Sequence, residues 1–117
     1  MKTVLIVDDS NFMRRLIKKI LIKSDCEVVG EANNGKLGVE MYKELKPDFV
    51  TMDLVMDEMN GLDALKLILE IDPNASVIMV SSMGQDVVVR DAIVLGAKNF
   101  LIKPLDEKQV VDAIKKL

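Results

Sequence analysis

Five short apolar runs rich in β-branched residues punctuate the chain, at residues 4–7, 28–29, 49–52, 77–80 and 100–102, and each gives way quickly to polar residues. They are too short for a helix core and show little period-2 alternation, the pattern of strands buried on both faces. Between them the apolar residues recur at helical spacing. Phe12, Leu16 and Ile20 with Met13 and Ile17 form one stripe, and Leu37, Met41 and Leu45 a second. Leu62, Leu65 and Leu69 with Ile68 form a third, Val88, Ala92 and Leu95 a fourth, and Val110, Ile114 and Leu117 a fifth. Boundary residues agree with this division. Ser10 is placed to cap the first helix and Asn33 or Asn34 the second, while Pro47, Pro73 and the Gly96-Ala97 pair close the second, third and fourth. Strict alternation of strand and helix predicts an α/β fold in which a parallel sheet carries helices on both faces.

Length and composition narrow the chemistry. The 117 residues suit one domain that folds without disulfides, with no linker, repeat or low-complexity run to divide it. A single cysteine forms no internal bridge and fits a reduced, intracellular protein. The net charge of −3, from 16 basic and 19 acidic side chains, lacks the basic surplus that nucleic-acid binding uses to neutralise phosphates. The first apolar run, Val4 to Val7, is far shorter than a signal-peptide core, and no run approaches the roughly 20 residues of a membrane span. A cytoplasmic protein with neither a nucleic-acid nor a membrane partner is expected. The chain has no histidine, which excludes Ser-His-Asp and Cys-His nucleophile pairs, an imidazole base and a histidine-ligated zinc site. Reactivity must come from carboxylates, hydroxyls, amines or Cys26.

In open sheets of this kind ligands bind at the carboxyl ends of the strands. The first strand is followed by Asp8-Asp9, the third by Asp53, the fourth by Ser81-Ser82 and the fifth by Lys103-Pro104. Singly, these residues have ordinary roles as helix caps, turn residues or solvated charges. Together they bring three carboxylates, hydroxyls and an ammonium to one rim. Crowded carboxylates repel one another, and such a group ordinarily holds a divalent cation. Acid oxygens without imidazole or thiolate favour Mg²⁺ over zinc. A carboxylate beside Mg²⁺ can attack phosphorus to give an aspartyl phosphate, with Lys103 offsetting the charge of the transferred group and Ser81 donating to one of its oxygens.

At these positions the sequence resembles the receiver domains of two-component response regulators. The matching segments are Val4-Leu-Ile-Val-Asp-Asp-Ser10, Met52-Asp-Leu-Val-Met56 with Asn60-Gly61, Val80-Ser-Ser82 and Gly96-Ala-Lys-Asn-Phe-Leu-Ile-Lys-Pro104, and the likeness spans the whole chain. Residues 10–14, 31–35 and 82–85 are most similar to those of the stand-alone chemotaxis regulators of the family. The resemblance implies a flavodoxin-like, doubly wound (βα)5 fold with strand order 2-1-3-4-5, one receiver domain over 1–117 and no output domain. It implies that Asp53 is the phosphoacceptor and that Asp8 and Asp9 organise Mg²⁺. Asp9 and Asp53 would ligate directly, Asp8 largely through water, and the backbone carbonyl of Val55 would complete the set. Ser81 would be the switch hydroxyl, Phe100 the switch aromatic, and Lys103 the ammonium that precedes a cis proline bond.

The same resemblance implies a readout surface on the fourth helix, fifth strand and fifth helix, residues 85–95, 98–102 and 106–116. The expected partners are a chemotaxis-type histidine kinase as phosphohistidine donor, a flagellar motor switch or adaptor protein on that surface, and a phosphatase. The protein is then not a conventional enzyme: it catalyses its own phosphorylation and its slow dephosphorylation. Two other functions share the Asp53 site, a phosphorelay intermediate passing the group to a histidine phosphotransfer protein and the receiver part of a larger regulator.

Some residues depart from the family pattern or imitate other motifs. Asp57 stands where receivers commonly have proline, and reads either as a solvated loop acid beside Glu58 or as a fourth carboxylate that strengthens Mg²⁺ binding and loosens the loop proline would stiffen, with at least a small effect expected. Val55 and Met83 lie where the family varies the access of water to the acyl phosphate, and offer no group to orient it. Gly30-Glu-Ala-Asn-Asn-Gly-Lys-Leu37 nearly matches a nucleotide P-loop but has Leu37 where Ser or Thr must reach Mg²⁺, and Glu31 within the cradle. Cys26 reads as a structural thiol and the eight methionines as pliable core filling.

Overall fold

The computed structural model describes all of Met1–Leu117. Strands and helices alternate as β1 (Lys2–Val7), α1 (Asn11–Lys23), β2 (Cys26–Ala32), α2 (Gly35–Leu45), β3 (Phe49–Asp53), α3 (Gly61–Ile71), β4 (Val77–Ser81), α4 (Asp86–Leu95), β5 (Asn99–Ile102) and α5 (Glu107–Lys115). All strand pairs are parallel and the order is β2-β1-β3-β4-β5, as the resemblance implies.

The pleat sorts the strand residues into two layers. Val4, Ile6, Phe49, Ile78, Val80 and Leu101 meet Ile17, Ile20 and Leu21 of α1 and Val110 and Ile114 of α5. Their neighbours Leu5, Val7, Val50, Met52, Val77 and Met79 meet Val39 and Tyr42 of α2, Leu65 and Ile68 of α3 and Ala92 of α4. Both faces are apolar, so the strands read as continuous runs without alternation. Each fully buried large side chain here contributes about 1.5–3 kcal/mol of transfer free energy. No helix is long and apolar enough to cross a membrane.

Local signals set the boundaries. Ser10 accepts from the Met13 amide at 3.2 Å and caps α1, and Asn34, of the two candidate asparagines, accepts from the Leu37 amide at 2.8 Å and caps α2. Lys46, in the left-handed region at φ 45°, ends α2 ahead of Pro47. Gly96 ends α4 at φ 125°, a backbone that disfavours any side chain.

Several expectations need correction. The β2 pairing runs from Cys26 to Ala32, well beyond the Val28-Val29 pair, with an irregular register where Val4 pairs with Val28 but Leu5 pairs with Gly30. The face of α2 that packs on the sheet is Gly35, Gly38, Val39 and Tyr42, while Leu37 and Leu45 are exposed. A Cβ at Gly38 would come within 2.9 Å of Val7, so close approach through small residues, not the bulkiest apolar ones, sets the buried side of this helix. Phe12 is 71% exposed, and the α1 face is carried by Met13, Leu16, Ile17, Ile20 and Leu21. The fifth helix ends at Lys115, and Leu117 packs beside the core from beyond it.

Candidate functional site

The chain leaves β1 toward β2 on one side and returns to β3 on the other, so the carboxyl ends of β1 and β3 part and open a crevice. Asp8 and Asp9 follow β1 and Asp53 ends β3, and one carboxylate oxygen from each lies within 4.8 Å of the others. Asp8 and Asp53 are buried and Asp9 is exposed. The Lys103 ammonium reaches the same crevice, 3.2 Å from Asp8 Oδ2 and 3.6 Å from Asp53 Oδ1. Its amide donates to the Ser81 carbonyl at 2.9 Å, tying the ends of β4 and β5 together, and the Lys103–Pro104 bond is cis. Ser81 is buried, and its hydroxyl oxygen accepts from the Met83 amide at 3.1 Å. It directly follows Val80, the register partner of Asp53.

The supporting backbone is tightly fixed. The Asp8 amide donates to the Ala32 carbonyl at 3.0 Å, and Asp8 Oδ1 accepts from the Ser10 amide at 2.9 Å. On the other side of the crevice, Gly61 donates to the Leu54 carbonyl at 2.7 Å and folds the loop after β3 back on itself. A Cβ at Gly61 would overlap the Asp53 carbonyl oxygen and sit 2.8 Å from Leu54 Cα. Gly61 is thus part of the site's frame. The Asn60-Gly61 pair ahead of an apolar helical stripe was the available signal, since Asn60 caps α3 through the Asp63 amide at 2.9 Å.

Three carboxylates face one ammonium. The Asp53 carboxyl is pushed up from 3.8 to about 6, by burial first and then by the negative charges of Asp8 and Asp9, with Lys103 acting in the opposite sense. Burial and the two neighbouring carboxylates together disfavour its ionised form, and Lys103 offsets only part of this. The donor set is all oxygen, clustered and partly buried, and it fits a hard divalent cation.

The remaining candidates lie around this centre. Val55 is 58% exposed in the loop after β3 and shares a shallow groove with Met83 and Val88. Phe100 is half-buried on β5 opposite Met79, and borders a groove of about 330 Å³ between β5 and α5. Asp57 is exposed and stands outside the carboxylate group, which favours the solvated reading of this residue. In the P-loop look-alike, Glu31 is paired with Arg14 and Lys18 and Lys36 is exposed, so no phosphate cradle forms. Cys26 is buried and its thiol is pushed up by burial and by Asp25, as a structural thiol should be.

Comparison with known proteins agrees with this geometry. The response regulator receiver domain family matches residues 4–115. The chain is 56% identical over 116 residues to the chemotaxis protein CheY of Thermotoga maritima, covering 99% of this chain and 97% of that one. It is 55% identical to CheY of Bacillus subtilis, covering 97% and 94% of the two chains. Among solved structures, the CheX-CheY-BeF3-Mg+2 complex from Borrelia burgdorferi matches with a TM-score of 0.94 at 37% identity, covering 97% of this chain and 86% of that one. The response regulator domain of Thermotoga maritima CheB matches with a TM-score of 0.87 at 41% identity, covering 99% and 92%. CheY proteins are themselves a standard example of the 2-1-3-4-5 order, so the topology agrees with the family without adding independent weight. From its paired acids at the β1/β3 switch point to its full-length match, the chain belongs to the response regulator receiver domain family and is a CheY-like member of it.

Proposed function

We propose that this protein is a stand-alone chemotaxis response regulator, phosphorylated on Asp53 by a histidine kinase with Mg²⁺ and read out by phosphorylation-dependent binding to a flagellar motor switch or adaptor protein. The observation that carries this reading is the convergence of Asp53, Asp8, Asp9 and Lys103 from three separate strand ends into one crevice. The name and near-full-length match of the CheY relatives support the chemotaxis assignment and a single receiver domain.

In the transfer, an Asp53 carboxylate oxygen attacks phosphorus in line, the bond to the donor imidazole nitrogen breaks, and its electron pair returns to that imidazole, which takes up a proton. Asp8, Asp9, Asp53 and the Val55 carbonyl would hold Mg²⁺, which supplies positive charge against the phosphoryl oxygens when bound. Lys103 is already positioned by Asp8 and Asp53 to pair with one of those oxygens. Val55 and Met83 leave no polar group to orient a hydrolytic water, so unaided dephosphorylation is slow.

The new phosphate adds close to two negative charges at the end of β3. Ser81 moves its hydroxyl onto the phosphate, and Phe100 takes up the space it leaves. This alters the α4, β5 and α5 surface, where Val87, Ile93, Val94 and Ile102 present exposed apolar side chains to a partner. The same site would accept the group from the kinase and lose it to a phosphatase.

The test is transfer of phosphate from a phosphorylated chemotaxis kinase domain, followed by affinity measurement against candidate motor proteins for the parent and Ser81→Ala. The parent gains affinity on phosphorylation and Ser81→Ala loses most of that gain. An undiminished gain in the variant would break the proposed coupling.

A further inference from the structure

Arg14 lies outside every role assigned above, yet it is one of the most constrained cations in the molecule. Its side chain is 14% exposed although it sits in the first turn of a helix whose other cations face solvent. The guanidinium donates through Nη1 to the Asp8 carbonyl oxygen at 2.6 Å, and through Nη2 to Asn11 Oδ1. Its Nε stands 3.4 Å from Glu31 Oε1 on β2, and Glu31 Oε2 is in turn 3.5 Å from Lys18 Nζ. The planar fork thus donates two hydrogen bonds and ion-pairs with a carboxylate on β2, an arrangement a point charge cannot reproduce.

The acceptor that matters is the Asp8 carbonyl, because it belongs to the peptide unit joining Asp8 to Asp9. The Asp8 carboxylate is fixed by Ser10 and Lys103 and the Asp8 amide by Ala32. Asp9 is exposed, and no side-chain hydrogen bond holds its carboxylate. The preceding peptide places its Cα, and Arg14 donates to the carbonyl of that peptide from outside the strand. We propose that Arg14, braced by Glu31, is a positioning residue that holds the Asp8–Asp9 peptide so that Asp9 completes the divalent-cation site. This rests on the reading of Asp8, Asp9 and Asp53 as that site.

The sign of the effect separates positioning from simple charge. Arg14 is a cation near a cation site, so on electrostatics alone its removal strengthens metal binding. Positioning gives the opposite result, since groups that orient metal ligands typically contribute 10- to 100-fold in affinity. Loss of the fork in Arg14→Gln should weaken Mg²⁺ binding about 10-fold, and Arg14→Lys, which keeps the charge, should weaken it nearly as much. Glu31→Gln keeps the size of the brace but removes its charge, and should fall between parent and Arg14→Gln.

The experiment is Mg²⁺ titration by calorimetry on the full chain, with amide NMR shifts of Asp9 and Ser10 recorded without metal and urea unfolding as a check on each fold. Weaker Mg²⁺ binding in both Arg14 variants, with displaced Asp9 and Ser10 amides, supports the proposal. Binding in Arg14→Gln or Arg14→Lys as tight as in the parent, or tighter, overturns it. Asp9→Asn and Asp53→Asn run in parallel: if neither weakens Mg²⁺ binding relative to the parent, it is the underlying assignment of the cation site that fails.

Discussion

Replacing Asp53 by asparagine should stabilise the metal-free protein at neutral pH and have little effect near pH 4. The carboxyl titrates at about 6 in the folded chain against 3.8 in the unfolded one, because burial and the charges of Asp8 and Asp9 disfavour its ionised form. The folded state therefore holds this proton more tightly than the unfolded state does. Stability falls as pH rises from about 4 to about 6, and the whole penalty persists above that window. A carboxyl moved from 3.8 to about 6 corresponds to roughly 3 kcal/mol. Asparagine removes the ionisation penalty but brings amide hydrogens toward the Lys103 ammonium, which trims the gain to about 1–3 kcal/mol. Urea unfolding followed by circular dichroism in EDTA, from pH 4 to pH 8, reads this directly. Saturating Mg²⁺ should narrow the difference, because binding at 100 times Kd stabilises the parent by about 2.7 kcal/mol. A variant no more stable than the parent at pH 7, or a difference that does not change with pH, would refute the reasoning.

Three further outcomes concern the packing around the site. Thr51 Oγ1 is buried beside a small apolar cavity and has no hydrogen-bond partner, so Thr51→Val should stabilise the fold by about 1–3 kcal/mol; a lowered urea midpoint would count against this. Gly61→Ala pushes a methyl group into the Asp53 carbonyl and should cost about 1–3 kcal/mol, with weaker Mg²⁺ binding by calorimetry; wild-type stability would show that the loop yields freely. Asp57→Pro should leave the Mg²⁺ titration midpoint unchanged, because Asp57 stands outside the carboxylate group; a clear shift would restore it as a metal-tuning residue.

Much of this architecture is legible in the sequence because four of the five strand ends carry their chemistry on or directly after an apolar run. Asp8, Asp53, Ser81 and Lys103 needed only the strand boundaries and the rule that open sheets bind at their carboxyl ends. Their mutual distances depend on strand order, which periodicity does not encode and the family resemblance supplied. What sequence pattern misreads is packing that depends on small or polar residues. The α2 face follows Gly38 against Val7 and leaves Leu37 outside, so ranking by bulk chose the wrong stripe. Phe12 is apolar and at helical spacing yet faces solvent, because α1 meets the sheet one position further round. Arg14 and Gly61 act through backbone carbonyls, Asp8 and Asp53 respectively, and a contact with a carbonyl across a loop leaves no periodic trace.

Asp53 stands at the centre of the proposed function as the residue modified, with the oxygen cluster around it making the modification possible. Incubation with a small-molecule phosphodonor and Mg²⁺, followed by mass spectrometry of the intact chain and its peptides, tests this most directly. One phosphoryl group per chain, located on Asp53, absent in Asp53→Asn and lost when EDTA replaces Mg²⁺, is the expected result. Equal labelling of Asp53→Asn, or labelling of the parent that EDTA leaves intact, would contradict it.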